Sequence, residues 1–321
     1  MFAHTVTHGS GSGTLRKVEL ATPRPGPGQL SIDVDFAGLG LIDAFWTSGV
    51  MPSGPEFVPG LEASGTVREL GEGVTEFAVG DPVAAILLGA GGFAEVVCVP
   101  AAHVAAVPEG LGMEMAAVVA INTVTAHLAL TRSARFSPSD SMLVQAGVGG
   151  LGSQFARVAL ALGITELDAV VGTEAKRALA QDLGYRRIYL RDEIDNIPAG
   201  AYDLVVDPVG GVATEIGFRA LRSGGRLVRV GNASQAPDVP LSSLAHWLEN
   251  KTTTGFNVGA WLSAYPEQCA PSLQWSLAAA ARGDVRVDLT RVGTPEELPE
   301  MLASLERGET TGKLAVRMVR D

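Results

Sequence analysis

The sequence predicts an α/β protein of two domains, a doubly wound parallel sheet joined to a barrel-like β domain. Three observations predict it. Short strands with Gly- and Pro-rich corners fill the chain to about Pro108, strands and helices of about ten residues alternate from Ser141, and a glycine-rich turn links the first alternating strand to its helix. A chain of 321 residues is also long for one core, so two domains are expected.

In the β region, "LSIDVDFAG" (Leu30–Gly38) alternates apolar and polar residues, the period of a half-buried strand. The turn "PRPGPGQ" precedes it, and "GEGV" and "VGDPV" separate the further strands "ASGTVREL" and "FAEVVCVP". The "GSGSG" at Gly9–Gly13 reads as a turn. The alternating region then runs "SMLVQAGV", helix Ser153–Leu162, "LDAVVG", helix Glu174–Gly184, "YDLVVDPVGG", helix Val212–Leu221 and "GRLVRVGN". From about Val258 the texture is mixed again and closes with the strand "KLAVRMV". The expected domains are 1–118, 119–257 and a return to the first over 258–321.

Composition limits the partners. Hydrophobic residues make up 46% and charged residues 18%, a soluble globular balance. The 24 Lys+Arg against 35 Asp+Glu give a net charge of −11, which argues against nucleic acid and anionic membrane surfaces. Cys98 and Cys269 are too few and too far apart for a disulfide framework and read as inert thiols. The N-terminus lacks the basic start and apolar run of a signal peptide, and no long stretch stays apolar without Gly or charge. Cytoplasm is the expected location.

The stretch "SMLVQAGVGGLG" ends in Gly147-Val148-Gly149-Gly150-Leu151-Gly152, which satisfies G-x-G-x-x-G. After it, Phe155, Val158, Ala159 and Leu162 keep helical spacing. Strand, tight turn and helix N-terminus are the context of a dinucleotide site, where free N–H groups and the positive end of the helix dipole favour a pyrophosphate. Gly147, Val148, Gly149, Gly150 and Leu151 are therefore expected to hold it. NAD sites carry an acid about 20 residues further on; here Gly172 and Thr173 stand there, followed by Glu174 but also by Lys176 and Arg177. Thr173, Lys176 and Arg177 suit a 2′-phosphate and point to NADPH, the alternative being solvated charges at a helix start.

Together "PGPGQLSIDVDFAGLGLIDAFWTSG", "VPGLEASGTVRELGEGVTEFAVGDPVAA", "GGFAEVVCVP", "AGVGGLG", "YDLVVDPVGG" and "TGKLAV" resemble the medium-chain dehydrogenase/reductases, in the branch of zinc-free quinone oxidoreductases (zeta-crystallin) and enoyl reductases. The resemblance spans nearly the whole chain. It implies a GroES-like β-barrel domain built from both chain ends around a central Rossmann domain. Zinc-dependent relatives carry a His where this chain has Leu61, and a Cys in the region of Leu39, Gly40 and Leu41, none of which coordinates. No metal is expected.

By the same resemblance, Thr125, Gly231, Asn232, Phe256, Val258 and Lys313 lie near the cofactor, Phe256 and Val258 on a strand within "TTTGFNVGAW" that pairs across a two-fold axis in a homodimer. Several family groups are replaced. Gly40 stands for a substrate-side Asn, Met51 for a Tyr, His127 for an aromatic residue, and Leu190 for a Tyr near the adenine. Among the remaining polar groups, Asp43, Asn122 and His127 are the candidates for acting on the substrate: Asn122 as carbonyl donor, His127 as proton relay, and Asp43 either directly or as a structural hydrogen bond. His246 reads as a surface or rim residue. Without a metal to polarise an alcohol, the expected chemistry is NADPH-dependent reduction of a small apolar conjugated carbonyl or quinone. The alternatives are a tailoring reductase or isomerase acting on a polyketide-like intermediate, and an NADPH binder without turnover.

Overall fold

The structure, a computed structural model, describes residues 1–8, 13–54 and 56–318. The expected turn at Gly9–Gly13 falls largely outside them, as does the last valine of "KLAVRMV". The chain forms two compact units, one of Met1–Val124, Leu262–Gly283 and Val287–Asp321, the other of Thr125–Trp261 with Asp284–Arg286. The boundaries thus fall a few residues beyond those expected, and the three-residue excursion Asp284–Arg286 has no mark in the sequence.

In the first unit, Gln29–Leu39 is the strand around which the rest assembles. Glu62–Leu70 pairs along it, while its other edge is shared: residues 29–33 pair with Val96–Pro100 and residues 36–39 with Lys313–Arg317. Both edges being covered, Leu30, Ile32, Val34, Ala37 and Leu39 are all buried, and they pack with Phe93, Leu298, Met301 and Val316 in one core. Each large apolar side chain so buried stabilises the unit by roughly 1.5–3 kcal/mol. Pro82–Ile86 and Val104–Ala106 continue the sheet on one side and Leu289–Gly293 on the other, giving six strands in line among the described residues, with Val96–Pro100 as a seventh beside Gln29–Leu39.

The second unit is a parallel sheet whose strand order is Arg187–Leu190, Glu166–Val171, Ser141–Gln145, Tyr202–Asp207, Leu221–Arg229, Thr252–Gly255. In chain order that is 3-2-1-4-5-6, the doubly wound Rossmann arrangement, with every neighbouring pair parallel. The strand order reverses between Ser141–Gln145 and Tyr202–Asp207, so the ligand crevice of such a sheet opens beyond Gln145 and Asp207. Tyr202–Asp207 is buried along its whole length, as a strand covered on both faces must be.

The helices differ from expectation mostly at their ends. The first Rossmann helix is Gly150–Ala161, starting within the glycine turn and three residues before Ser153. The next two are Glu174–Asp182 and Val212–Ala220. One correction is larger: within "TTTGFNVGAW" the strand stops at Gly255, and Val258 opens a helix to Ala264. The Asn257 side chain caps that helix by accepting the Ala260 N–H at 3.0 Å. The helix Met113–Leu128 with its π-helical extension Ala129–Ala134 is long and apolar enough to cross a membrane, but most of it is buried within the chain's own packing.

Candidate functional site

The glycine turn lies at the carboxyl end of Ser141–Gln145, next to the reversal of strand order. Ala146 turns the chain with a positive φ of 52°, and Gly149 precedes the helix in extended conformation with no side chain capping it. The first-turn N–H groups, those of Gly150, Leu151 and Gly152, therefore have no acceptor within the helix. Two glycines are required by space. A Cβ on Gly147 would come within 2.7 Å of the Ala169 methyl group, and one on Gly152 would run into the Ala146 carbonyl. Val148 is buried.

Tyr185 holds the turn from below. Its buried hydroxyl donates to the Gly147 carbonyl at 2.9 Å and lies 3.3 Å from that of Gly152. Burial keeps the phenol far above its ordinary pKa, so it stays a donor. Nothing local in "LGYRR" announces this role, because the partners lie 33 and 38 residues earlier in the chain.

At the end of Glu166–Val171, Thr173 takes the N-cap position of Glu174–Asp182 in extended conformation, but its hydroxyl does not cap the helix. Lys176 is half-buried on the first turn. The Arg177 guanidinium is fully engaged: Nε donates to Glu174, Nη1 to the Ile188 carbonyl and Nη2 to Glu193. The Ile188 and Glu193 bonds tie Glu174–Asp182 to the neighbouring strand and the turn after it, so the structure gives Arg177 a bracing part.

Across the crevice, Asp207 organises the loop after its strand. Fully buried, it accepts from the Val209 and Gly210 N–H groups at 2.8 and 3.0 Å and from the Thr214 hydroxyl at 2.6 Å, with Arg229 Nε 3.2 Å away. Gly231 and Asn232 follow Leu221–Arg229; Asn232 donates to the Ala236 carbonyl at 3.1 Å and occupies the space a Gly210 side chain would need. Phe256 is buried against Trp261, ring centroids 5.4 Å apart. Val258, at a helix start, is not on a strand beside it.

In the first unit, Asp43 sits on the helix Leu41–Ser48 at 1% exposure. One carboxylate oxygen accepts the Gly40 N–H at 2.8 Å and the other the Gly60 N–H at 2.9 Å. Both oxygens are thus spent on backbone, clipping the helix start to the "PGLE" segment. Burial raises its pKa to about 6 against the opposing pull of those two bonds and of Lys313. Lys313, expected beside the cofactor, instead directs its ammonium to Glu62 and to the Leu39 carbonyl at 3.0 Å. The other Glu62 oxygen accepts the Ile121 N–H at 2.8 Å, and Lys313 and Glu62 are 3% and 1% exposed. Asn122 is half-buried beside Ile121.

Thr125 and His127 lie further along the same helix, Met113–Leu128. Three residues turn a helix by about 300°, so Thr125 shares the side of Asn122, whereas His127 is about 140° from Asn122. The helix therefore does not aim Asn122 and His127 at one point. Burial, with Arg132 nearby, lowers the His127 pKa to about 4, so the imidazole is neutral near pH 7. Burial raises both thiols, Cys269 to about 12, and neither is in a disulfide.

The GroES-like domain model of alcohol dehydrogenases matches residues 26–109, and the model of zinc-binding dehydrogenases matches residues 147–278, about two thirds of the chain together. This chain is a medium-chain dehydrogenase/reductase. Although the second description names zinc, Leu61 stands between Gly60 and Glu62, and among the described residues no group of three His, Cys, Asp or Glu side chains is placed to hold a metal. A mycobacterial quinone oxidoreductase in its native form and a mycobacterial protein complexed with NADPH each superpose with TM-score 0.86 and 26% identity over 99% of both chains. They place this medium-chain dehydrogenase/reductase in the quinone oxidoreductase branch. The human synaptic vesicle membrane protein VAT-1 homolog is 27% identical over 95% of this chain and 84% of its own. A mycocerosic acid synthase-like polyketide synthase of Mycolicibacterium smegmatis is 29% identical over 95% of this chain, which spans 15% of that synthase.

Proposed function

We propose that this medium-chain dehydrogenase/reductase is an NADPH-dependent, metal-independent reductase of small apolar conjugated carbonyls or quinones. The observation that carries the reading is the uncapped helix start at Gly150, in a glycine turn too close-packed for side chains at Gly147 and Gly152, at the carboxyl edge where the strand order reverses. That arrangement offers backbone N–H groups to a pyrophosphate, and the NADPH complex of a 26% identical mycobacterial protein supports the choice of dinucleotide. NADPH, when bound, supplies the hydride. Gly147, Val148, Gly149, Gly150 and Leu151 would hold the pyrophosphate, Thr173 and Lys176 would border the adenosine end, and Gly231, Asn232, Thr125 and Phe256 would border the nicotinamide end.

The chain's own residues have two tasks at the acceptor: stabilising the oxygen that gains charge and letting a proton reach the adjacent carbon. Asn122 carries an amide N–H suited to the first. His127 faces another side of the helix from Asn122, so the proton for the second task comes from solvent rather than from its imidazole. Asp43 serves by holding the Gly40 and Gly60 backbone in place.

The family likeness to a polyketide synthase favours a second reading, reduction or isomerisation of a polyketide-like intermediate on the same site. A cytoplasmic homodimer completes the proposal. Thr252–Gly255 ends the strand order with one edge free of other described strands, and the adjoining helix Ser243–Leu248 exposes Leu244, Trp247 and Leu248. Sedimentation of the purified chain tests the dimer. NADPH oxidation with 2-cyclohexenone, 1,4-naphthoquinone and acyl thioester enones tests the chemistry. Turnover of the thioesters alone selects the second reading, and tight NADPH binding without turnover of any acceptor refutes both.

A further inference from the structure

We propose that Arg191 is the residue that reads the 2′-phosphate of NADPH, in the place the sequence assigns to Arg177. The inference rests on the NADPH reading and names the group that discriminates NADPH from NADH.

Its position follows from register. Arg187–Leu190 pairs in parallel with Glu166–Val171, with Leu190 opposite Val171. The next residue on each strand, Arg191 and Gly172, therefore emerge side by side at the carboxyl edge of the sheet, the edge that carries the glycine turn. Gly172 stands where NAD sites place the acid that bonds the ribose hydroxyl. A Cβ built on Gly172 would have the Arg191 Nη2 as its nearest neighbour, at 3.2 Å. The guanidinium thus lies over the bare backbone where that acid would project. A carboxylate there would repel a 2′-phosphate; a guanidinium attracts it and can bond two of its oxygens at once.

Availability separates the two arginines. Arg177 spends its Nε and both Nη groups on Glu174, Ile188 and Glu193. Among the described residues Arg191 has no ion-pair partner, and its side chain is exposed. Recruiting Arg177 would break one bond within its helix and two that brace the helix against the strand and the turn after it, whereas Arg191 turns to a phosphate at the cost of solvent contacts alone. Thr173, with a hydroxyl that does not cap its helix, adds a neutral donor on the other side of Gly172.

The test is calorimetric binding to the full chain. Wild type is expected to bind NADPH more tightly than NADH, and 2′,5′-ADP more tightly than 5′-AMP. Arg191→Ala should raise the NADPH Kd roughly ten- to a hundredfold while leaving NADH within about twofold, the loss expected for one charge-assisted contact. Gly172→Asp, at a position with no left-handed φ, should weaken NADPH and tighten NADH. Arg191→Ala binding NADPH as wild type does, or losing NADPH and NADH equally, overturns the assignment while leaving the NADPH reading intact. Wild type that binds no NADPH overturns the cofactor reading itself. Because Arg191 is exposed, an unchanged Tm in the alanine variant separates lost binding from lost folding.

Discussion

Replacing Lys313 by methionine isolates the buried pair on which the first unit closes. In the native chain the ammonium meets Glu62 and the Leu39 carbonyl, and Glu62 in turn receives the Ile121 N–H. Lys313→Met keeps most of the side-chain volume but leaves the Glu62 carboxylate, 1% exposed, with a single backbone donor. Removing one partner of such a pair costs about 3–5 kcal/mol, because the remaining charge is buried without compensation. At roughly 2 °C per kcal/mol for a chain of this size, Tm should fall by about 6–10 °C. The double variant Glu62→Gln/Lys313→Met has neither partner charged, and Gln keeps an acceptor for Ile121. It should recover at least half the loss, since a neutral replacement of a buried pair is often close to isoenergetic. Urea titration and thermal unfolding of the three proteins measure this. A loss below about 1 kcal/mol in the single variant, or a double variant no more stable than the single, would refute the account of the pair.

Two further outcomes follow from the site geometry. Tyr185→Phe removes the donor beneath the glycine turn and should cost about 1–3 kcal/mol; it should also weaken NADPH binding several-fold, and equal binding would show that the hydroxyl does not shape the turn. Asp43 titrates near 3.8 when unfolded and near 6 when folded. Between these values the folded chain holds more proton than the unfolded one, so this group stabilises most below the lower value and its contribution is lost as pH rises to the upper one. Relative to Asp43→Asn, wild type should lose about 2 kcal/mol of unfolding free energy from pH 4 to pH 6. Parallel stability curves for the two proteins would contradict it.

The elements that could be read in advance are those fixed by neighbours in the chain. The glycine turn, the strand Leu30–Gly38 and the alternation after Ser141 have local causes, namely missing side chains at close contacts, apolar–polar alternation in the sequence and short apolar runs. The helix start at Gly150 escapes the apolar periodicity, which runs from Phe155, because Gly150 and Gly152 are poor helix formers. In "TTTGFNVGAW", β-branched residues suggest a longer strand, but Asn257 followed three residues later by an alanine N–H is a capping signal that marks the helix. The site residues were harder. Lys313 meets a Glu 251 positions away, Arg177 is taken up by Glu193 sixteen positions on, and Asp43 by the Gly60 backbone seventeen on. Residue type suggested charge and reach in each case, but the partner that uses it up is set by tertiary packing.

The measurement that bears most directly on the account is steady-state NADPH oxidation by the purified chain, compared with NADH, across a panel of enones and quinones. Saturable consumption of NADPH with at least one acceptor, and far weaker use of NADH, is the expected result. Equal use of the two cofactors would contradict the 2′-phosphate argument, and no consumption with any acceptor, despite NADPH binding, would contradict the reductase itself.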